Sequence, residues 1–364
     1  MVPFLFWGFF QSFIRREKTM DNFFRCTPRQ ARKLILEILQ AGLVPYLQSS
    51  PGMGKSSIIR SICKDMGWVL IDHRLSTSDP TDLTGLPFFV NGQARFMPFT
   101  ELFPIEGMEI PEGMNGWLIF FDEFNSAPRS VQAAAYKIIL DRMVGQHRLH
   151  ENVLLAAAGN LATDRAIVNP LSTAMQSRLV HLEMRVDFKE WLEDVALKEN
   201  YDSRIIAFLS QYPSKLMDFN PEHHDKTFCC PRTWEFVNRL IKGKELDEDS
   251  TILLAGTISS GVAMEFVQFC KVYKDIIPLQ EILQNPENCR LPSDISLKWA
   301  TITHLTEHIS EENFEAISTY VNRFTMDFQI LFYRSIMIRH PHLRSHPQFG
   351  KAMGKMTQYL YSDT

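Results

Sequence analysis

Hydrophobic positions change period partway along this chain, and the change divides it. Up to about residue 186, short unbroken apolar runs alternate with stretches of helical period. The runs are Leu43-Val44-Pro45-Tyr46-Leu47, Trp68 to Asp72, Trp117-Leu118-Ile119-Phe120-Phe121, Asn152-Val153-Leu154-Leu155-Ala156-Ala157-Ala158-Gly159 and Val180 to Met184. Continuous runs of this length predict strands buried on both faces, as in a parallel sheet. Between the first two runs, Ile58, Ile59, Ile62 and Met66 fall on one helical face. Thr27-Pro28-Arg29-Gln30 reads as a capping box with proline at the first helical position, and Gly42 ends that helix. Strands alternating with helices predict an α/β fold with a three-layer parallel sheet. One segment departs from this rule. In Phe88-Phe89-Val90-Asn91-Gly92-Gln93-Ala94-Arg95-Phe96 an Asn-Gly pair separates apolar arms, which predicts a hairpin with a type I′ turn.

From about Asp187 the strand signals stop. Trp191, Leu192, Val195 and Ala196, then Ile205, Ile206 and Leu209, are helix-period stripes. They predict a helical region running to about Asp275. Pro278 and Asn285-Pro286-Glu287-Asn288 mark a linker, and Leu297 to Leu360 reads as further helices. Ile317, Tyr320, Val321 and Phe324 share one helix face and predict ordinary core packing. The expected organisation is an N-terminal extension over 1–26, an α/β core over 27–186, a helical lid over 187–275 and a C-terminal helical region over 276–364. The opening run Met1 to Phe10 is apolar but shorter than the ~20 residues a bilayer span needs, so no membrane span is expected.

Composition narrows the class. A chain of 364 residues, 45% hydrophobic and 22% charged, is long enough for more than one core and is not of disordered type. The net charge of −4 provides no basic coat for nucleic acid. Six cysteines lie scattered without paired spacing, which fits reduced thiols and a cytoplasmic location. Cys229-Cys230 beside His223-His224 has weak metal-site character. His304-Leu305-Thr306-Glu307-His308 matches a zinc-peptidase pattern that short sequences produce by chance. His340, His342 and His346 read as a solvated turn.

The candidate chemistry lies in the first half. Ser49-Ser50-Pro51-Gly52-Met53-Gly54-Lys55-Ser56-Ser57 follows a predicted strand and opens a predicted helix. That context makes it a phosphate-binding loop. Gly52 and Gly54 let successive N–H groups face phosphate oxygens, and the helix N-terminus adds its positive end. Lys55 can then reach the β- and γ-phosphates of a nucleotide, and the Ser56 hydroxyl can ligate Mg²⁺. The usual first glycine of such a loop is Ser49 here. Asp122-Glu123 ends the run Trp117–Phe121, which puts two carboxylates where open α/β sheets bind ligands. Asp122 is the candidate for the Mg²⁺ shell and Glu123 for polarising water. Asn160, after the next run, can hydrogen-bond a γ-phosphate and the lytic water. Pro231-Arg232-Thr233-Trp234 starts a helix with Arg232 near its N-terminus.

In this order the motifs resemble those of an AAA+ ATPase, and more narrowly the MoxR branch with its CbbQ, NorQ and RavA-type relatives. The resemblance runs from about Thr27 to Ile241. It includes Asp79-Pro80-Thr81-Asp82-Leu83-Thr84-Gly85-Leu86-Pro87, similar to the family's insertion in the second core helix. The stretch from Ile138-Ile139-Leu140-Asp141-Arg142 to Asn160 resembles the hairpin before the sensor strand. Leu171-Ser172-Thr173-Ala174-Met175-Gln176-Ser177-Arg178 resembles the segment bearing the arginine finger. The resemblance implies strand order 5-1-4-3-2 followed by an all-helical lid. It makes Lys55 and Ser56 part of Walker A, Asp122 and Glu123 Walker B, Asn160 sensor 1 and Arg232 sensor 2. Arg178 becomes the candidate finger, with Arg165 a second candidate. A finger acts on a neighbour's nucleotide, so a homo-oligomeric ring is implied, in this family usually a hexamer. A partner carrying a von Willebrand factor A domain is implied as well.

The expected function is therefore a ring ATPase that remodels a partner protein. The alternative is a nucleic-acid motor or McrB-like restriction subunit, which the missing basic tail and DNA-binding module disfavour. A non-catalytic nucleotide-gated scaffold would not need Lys55, Asp122, Glu123 and Asn160 together. Phe88, Phe89, Phe96 and Phe99 give the hairpin an aromatic character suited to protein contacts, with some of them expected on the core.

Overall fold

A computed structural model describes residues 25–164 and 168–360. The N-terminal apolar segment and Arg165 lie outside the described residues. The chain divides into two compact units, Met1–Val186 and Asp187–Thr364.

The first unit is built on a six-stranded parallel sheet. Its strands are β1 (Arg25–Cys26), β2 (Val44–Ser49), β3 (Trp68–Arg74), β6 (Gly116–Asp122), β9 (Val153–Asn160) and β10 (Leu179–Met184), in the spatial order β1-β10-β2-β9-β6-β3. Apart from β1, this is the expected order 5-1-4-3-2. Arg25–Cys26, which sequence alone leaves in the N-terminal extension, extends the sheet by pairing with Glu183 and Met184. Two residues carry no periodicity, so only the pairing partner reveals that strand. Every residue of β6 is buried, as its unbroken apolar run predicts.

Helices α1 (Pro28–Gln40), α2 (Lys55–Met66) and α4 (Arg129–Asp141) flank the sheet. The capping box of α1 forms as expected, with the Gln30 N–H donating to Thr27 Oγ1 and the Thr27 N–H to Gln30 Oε1. Short α3 (Pro80–Thr84) leads into a hairpin of β4 (Leu86–Val90) and β5 (Gln93–Met97). Asn91 and Gly92 both take positive φ, at 52° and 76°, the signature of a type I′ turn. A second small hairpin, β7 (Met143–Val144) with β8 (His147–Arg148), precedes β9. The two hairpins abut: a Cβ on Gly145 would lie 2.8 Å from the Thr84 carbonyl and 3.1 Å from Phe96 Cβ. A short helix α5 (Thr173–Gln176) precedes β10.

The second unit is mainly helical, with one antiparallel bridge between Asp218 and Cys229. α6 (Phe188–Trp191) continues into a π-helical turn, Leu192–Ala196. Then follow α7 (Ser203–Gln211), α8 (Pro231–Ile241), α9 (Ser250–Ala255), α10 (Ser260–Lys271), α11 (Leu279–Gln284), α12 (Ile295–Glu307), α13 (Phe314–Val321), α14 (Met326–Arg339) and α15 (Pro347–Leu360). Its core holds Phe208, Trp234 and Phe266 in mutual edge and tilted contacts. α12 packs along α7, so helices from both sides of residue 275 share one packing. Ile317, Tyr320, Val321 and Phe324 are all buried, as their common face predicts. Of the turn expected to be solvated, His342 is exposed, but His340 is half-buried with Nε2 3.2 Å from the Thr306 carbonyl, Leu343 is buried and His346 packs edge-on against Phe314. Among the described residues, no helix is long and apolar enough to cross a membrane.

Candidate nucleotide site

Parallel pairing brings the C-terminal ends of the central strands to one edge of the sheet. Ser49 at the end of β2 stands beside Asn160 at the end of β9, and Arg74 at the end of β3 beside Asp122 at the end of β6. The loop 50–54 leaves β2 at this edge and turns straight into α2. Gly52 and Gly54 take φ of 76° and 86°, and Gly54 caps α2 in the left-handed conformation. A Cβ on Gly54 would meet nothing within 4 Å, so the backbone conformation rather than space calls for glycine there. Pro51, Ser50 and Gly54 are half-buried, Gly52 and Met53 buried, and Ser57 exposed on the first turn of α2.

Lys55 spans the site. Its Nζ donates to Ser49 O at 3.1 Å, Ser49 Oγ at 3.2 Å and Asn160 Oδ1 at 3.2 Å. Residues from the phosphate loop and from β9 are thus joined through one ammonium group. Ser49, which stands where such loops carry glycine, is fully buried and supplies that lysine with two oxygens. Next to this, the Ser56 hydroxyl donates to Asp122 Oδ2 at 2.8 Å. Adjacent ligands on an octahedral Mg²⁺ sit about 2.9 Å apart, so these two oxygens have the spacing and hard-donor character to share such an ion. Asp122 is buried, and its other oxygen accepts the Glu123 N–H at 2.8 Å.

Glu123 turns away from the strand direction with a φ of 55°. Its carboxylate accepts from the Ser76 hydroxyl and lies 3.6 Å from Arg74 Nε. Carboxylates crowd this edge. Burial, and after it the charge of Asp122, pushes the Asp72 carboxyl above its usual range, against the pull of Arg60 and Arg74.

Three contributors escape a reading by motif. Asn125 is buried and clamps Asn160 by its backbone: its Nδ2 donates to Asn160 O at 2.7 Å, and the Asn160 N–H donates to its Oδ1 at 3.0 Å. Gly159 leaves room for this clamp, since a Cβ there would sit 2.5 Å from Asn125 Oδ1 and 2.2 Å from the Tyr46 hydroxyl. Ser76 and Arg74, just past β3, hold Glu123. In sequence Asn125 is merely the third residue after Asp122, and its signal is that a buried amide must find partners.

The two arginines are not among these contacts. Arg178, ahead of β10, donates from Nη1 to Ala174 O at 2.5 Å and lies over the Tyr136 ring at 5.1 Å. Arg232 is exposed on the first turn of α8 in the second unit. The cysteines are buried and form no disulfide among the described residues, with the thiols of Cys229 and Cys270 pushed up to about 12 by burial. Such thiols are poor nucleophiles and poor metal ligands at neutral pH.

No family model matches the chain. No curated protein matches it in sequence either. Among solved structures, it is similar to a protein of Cytophaga hutchinsonii to which ATPase activity is ascribed, at 16% identity and a TM-score of 0.34, covering 83% of this chain and 78% of that one. It is also similar to a Thermotoga maritima RuvB mutant, at 12% identity and a TM-score of 0.35, covering 80% of this chain and 87% of that one. A second mutant of the same RuvB gives 16% identity and a TM-score of 0.32, with coverage of 93% and 84%. Likeness at this level leaves the reading of the site to its own geometry.

Proposed function

We propose that this protein is an ATPase of the AAA+ kind, with MoxR-type character, using the edge formed by Ser49, Asp122 and Asn160 as its nucleotide site. The observation that carries this is convergence. Lys55 reaches Asn160, and Ser56 reaches Asp122, across strands far apart in sequence. A chance glycine turn followed by a surface lysine would not bring the two pairs together.

In this reading the N–H groups of residues 52–56 and the start of α2 take up the β-phosphate. Lys55 exchanges its present oxygen partners for phosphate oxygens without leaving the site. Ser56 and Asp122 would hold Mg²⁺, which supplies charge neutralisation on the β- and γ-phosphates when bound. Glu123 accepts a proton from the attacking water, with Ser76 and Arg74 fixing where its carboxylate points. Asn160 orients that water and is itself fixed by Asn125. Arg178 serves a neighbouring copy's nucleotide, Arg232 serves its own, and Arg165 is the other candidate for the neighbour. Among the described residues, the Arg178 guanidinium is held by the Ala174 carbonyl and the Tyr136 ring, contacts of a kind a finger can exchange. The assembly is a homo-oligomeric ring, in keeping with the family hexamer, acting on a protein through a von Willebrand factor A partner.

The test compares wild type, Lys55→Ala and Glu123→Gln for nucleotide binding and phosphate release. Lys55→Ala should lose ATP binding. Glu123→Gln should bind ATP and release phosphate about 10²- to 10⁴-fold more slowly, because only activation of the water is removed. Unchanged turnover in Glu123→Gln, or a wild type that binds no nucleoside triphosphate, would overturn the reading.

A further inference from the structure

The motif His304-Leu305-Thr306-Glu307-His308 looks in sequence like a chance match to a peptidase. Three of its residues nevertheless come together in space. His304 and Glu307 lie in the last turn of α12, and His308 is its C-terminal cap. Spacings of three and four put them on one side of the helix. One ring nitrogen from each histidine and one carboxylate oxygen of Glu307 lie within 4.8 Å of one another. The two rings stand 4.3 Å apart, centroid to centroid. Among the described residues, this is the set of histidine, cysteine and acidic side chains whose ligand atoms gather in that way. The His223, His224, Cys229 and Cys230 stretch is not such a set.

A second observation fixes the chemistry of one ligand. His308 Nδ1 is 2.9 Å from the carbonyl oxygen of His304. A carbonyl only accepts, so Nδ1 carries the proton and Nε2 keeps its lone pair. This is how metal-binding histidines are commonly oriented, by a hydrogen bond from the nitrogen that does not bind.

We propose that His304, Glu307 and His308 form a binding site for a divalent transition-metal ion of the Zn²⁺ type. Two imidazoles and one carboxylate suit Zn²⁺ and its neighbours, whereas Mg²⁺ and Ca²⁺ take oxygen alone. Ligand atoms on a tetrahedral Zn²⁺ are about 3.3 Å apart, so closing the set needs rotamer changes of side chains at a helix end. Glu307 and His308 are exposed, so no packed neighbour opposes those changes. His304 and Glu307 also line a cavity of about 510 Å³ with Tyr201, Asp202, Lys242 and Tyr273, which gives a hydrated ion a way in. Water completes the coordination. With Glu307 occupied as a ligand, the carboxylate of the motif is not available as a general base, so the site is a clip between the end of α12 and the turn after it.

The test titrates the full-length protein, stripped of metal by a chelator and kept free of nucleotide, with Zn²⁺ against a chromophoric chelator. Co²⁺ provides the spectroscopic probe. Wild type should take up one Zn²⁺ per chain, and bound Co²⁺ should show d–d bands without a thiolate charge-transfer band, which separates this site from the cysteines. Saturating Zn²⁺ should raise the melting temperature by about 5 °C. His308→Ala and Glu307→Gln should each weaken uptake by about tenfold or more and abolish the melting shift. Glu307→Gln keeps the helix end intact, so it remains informative if the histidine variant folds poorly. Equal Zn²⁺ affinity in wild type and both variants would overturn the proposal, as would a Co²⁺ spectrum dominated by thiolate bands. Neither result bears on the nucleotide site, which lies in the other unit.

Discussion

Two pairs of adjacent phenylalanines, each beginning two residues after a leucine, meet opposite fates. Phe120-Phe121 on β6 are 0% exposed, whereas Phe88-Phe89 on β4 are 58% and 73% exposed. Both pairs sit in apolar strands. The difference lies in the neighbours. β6 has β3 on one side and β9 on the other, with flanking helices over the sheet, so each ring is covered by something else. β4 pairs only with β5, whose residues are all exposed. Cross-strand, Phe88 faces Arg95 and Phe89 faces Ala94, so neither ring is roofed. Some of the hairpin aromatics were expected on the core, but Phe88, Phe89, Phe96 and Phe99 all remain exposed. A two-stranded ribbon has two faces and nothing to cover them. Apolar sequence predicts a strand; only the count of covering layers decides whether it is core.

The comparison breaks most sharply at Phe121. Its ring lies against Phe124 and His73 at centroid distances of 6.4 Å and 6.2 Å. Phe121→Ala should destabilise the first unit by about 3–5 kcal/mol, the range for emptying a full aromatic site in a packed core. Urea unfolding, followed by intrinsic fluorescence, measures it. A loss below 1 kcal/mol would mean that β6 is covered no better than β4.

Much of the first unit was legible because its strands obey a simple rule. Full burial on both faces demands unbroken apolar runs, and Trp117–Phe121 or Val153–Ala158 display them. The Asn-Gly turn was equally plain, since two consecutive left-handed residues admit few alternatives. What stayed hidden depends on distance in space. Two-residue β1 becomes a strand only through Glu183 and Met184, and no local pattern encodes that. The phosphate-loop residues carry their chemistry in their spacing, but Asn125, Ser76 and Arg74 act through bonds to Asn160 and Glu123 that sequence does not display. In the helical unit the same limit appears as shared packing between α7 and α12, which the intervening prolines and asparagines disguise.

Asn125 occupies the middle of the comparison, four residues past Phe121 but bound by hydrogen bonds instead of packing. Asn125→Ala leaves the Asn160 N–H and C=O without their amide partner. An unmade bond to a buried group costs about 1–3 kcal/mol, so this change should cost less than Phe121→Ala. It should also act on the site. If Asn160 orients the lytic water, phosphate release should fall by more than ATP affinity does. Equal loss of both would make Asn125 a purely structural group.

The smallest stability effect is expected at the hairpin, where the interest lies in what else changes. Replacing Phe88 and Phe89 together by serine removes rings that are more than half exposed, so unfolding free energy should shift by no more than about 0.5 kcal/mol per site. The Asn91-Gly92 turn and the Phe96 contact with the Gly145 turn remain, so the ribbon keeps its base. Exposed aromatics on a ribbon are nonetheless costly to leave in water, and patches of this type mark surfaces that meet other molecules. On the reading of a motor that grips a client protein, the double variant should keep its basal phosphate release and lose stimulation by the partner. The measurement is phosphate release by the double variant with and without that partner, beside unfolding of the same preparation. Lost stability would move Phe88 and Phe89 to the core side of the comparison. Retained stability with undiminished stimulation would take the hairpin out of partner recognition.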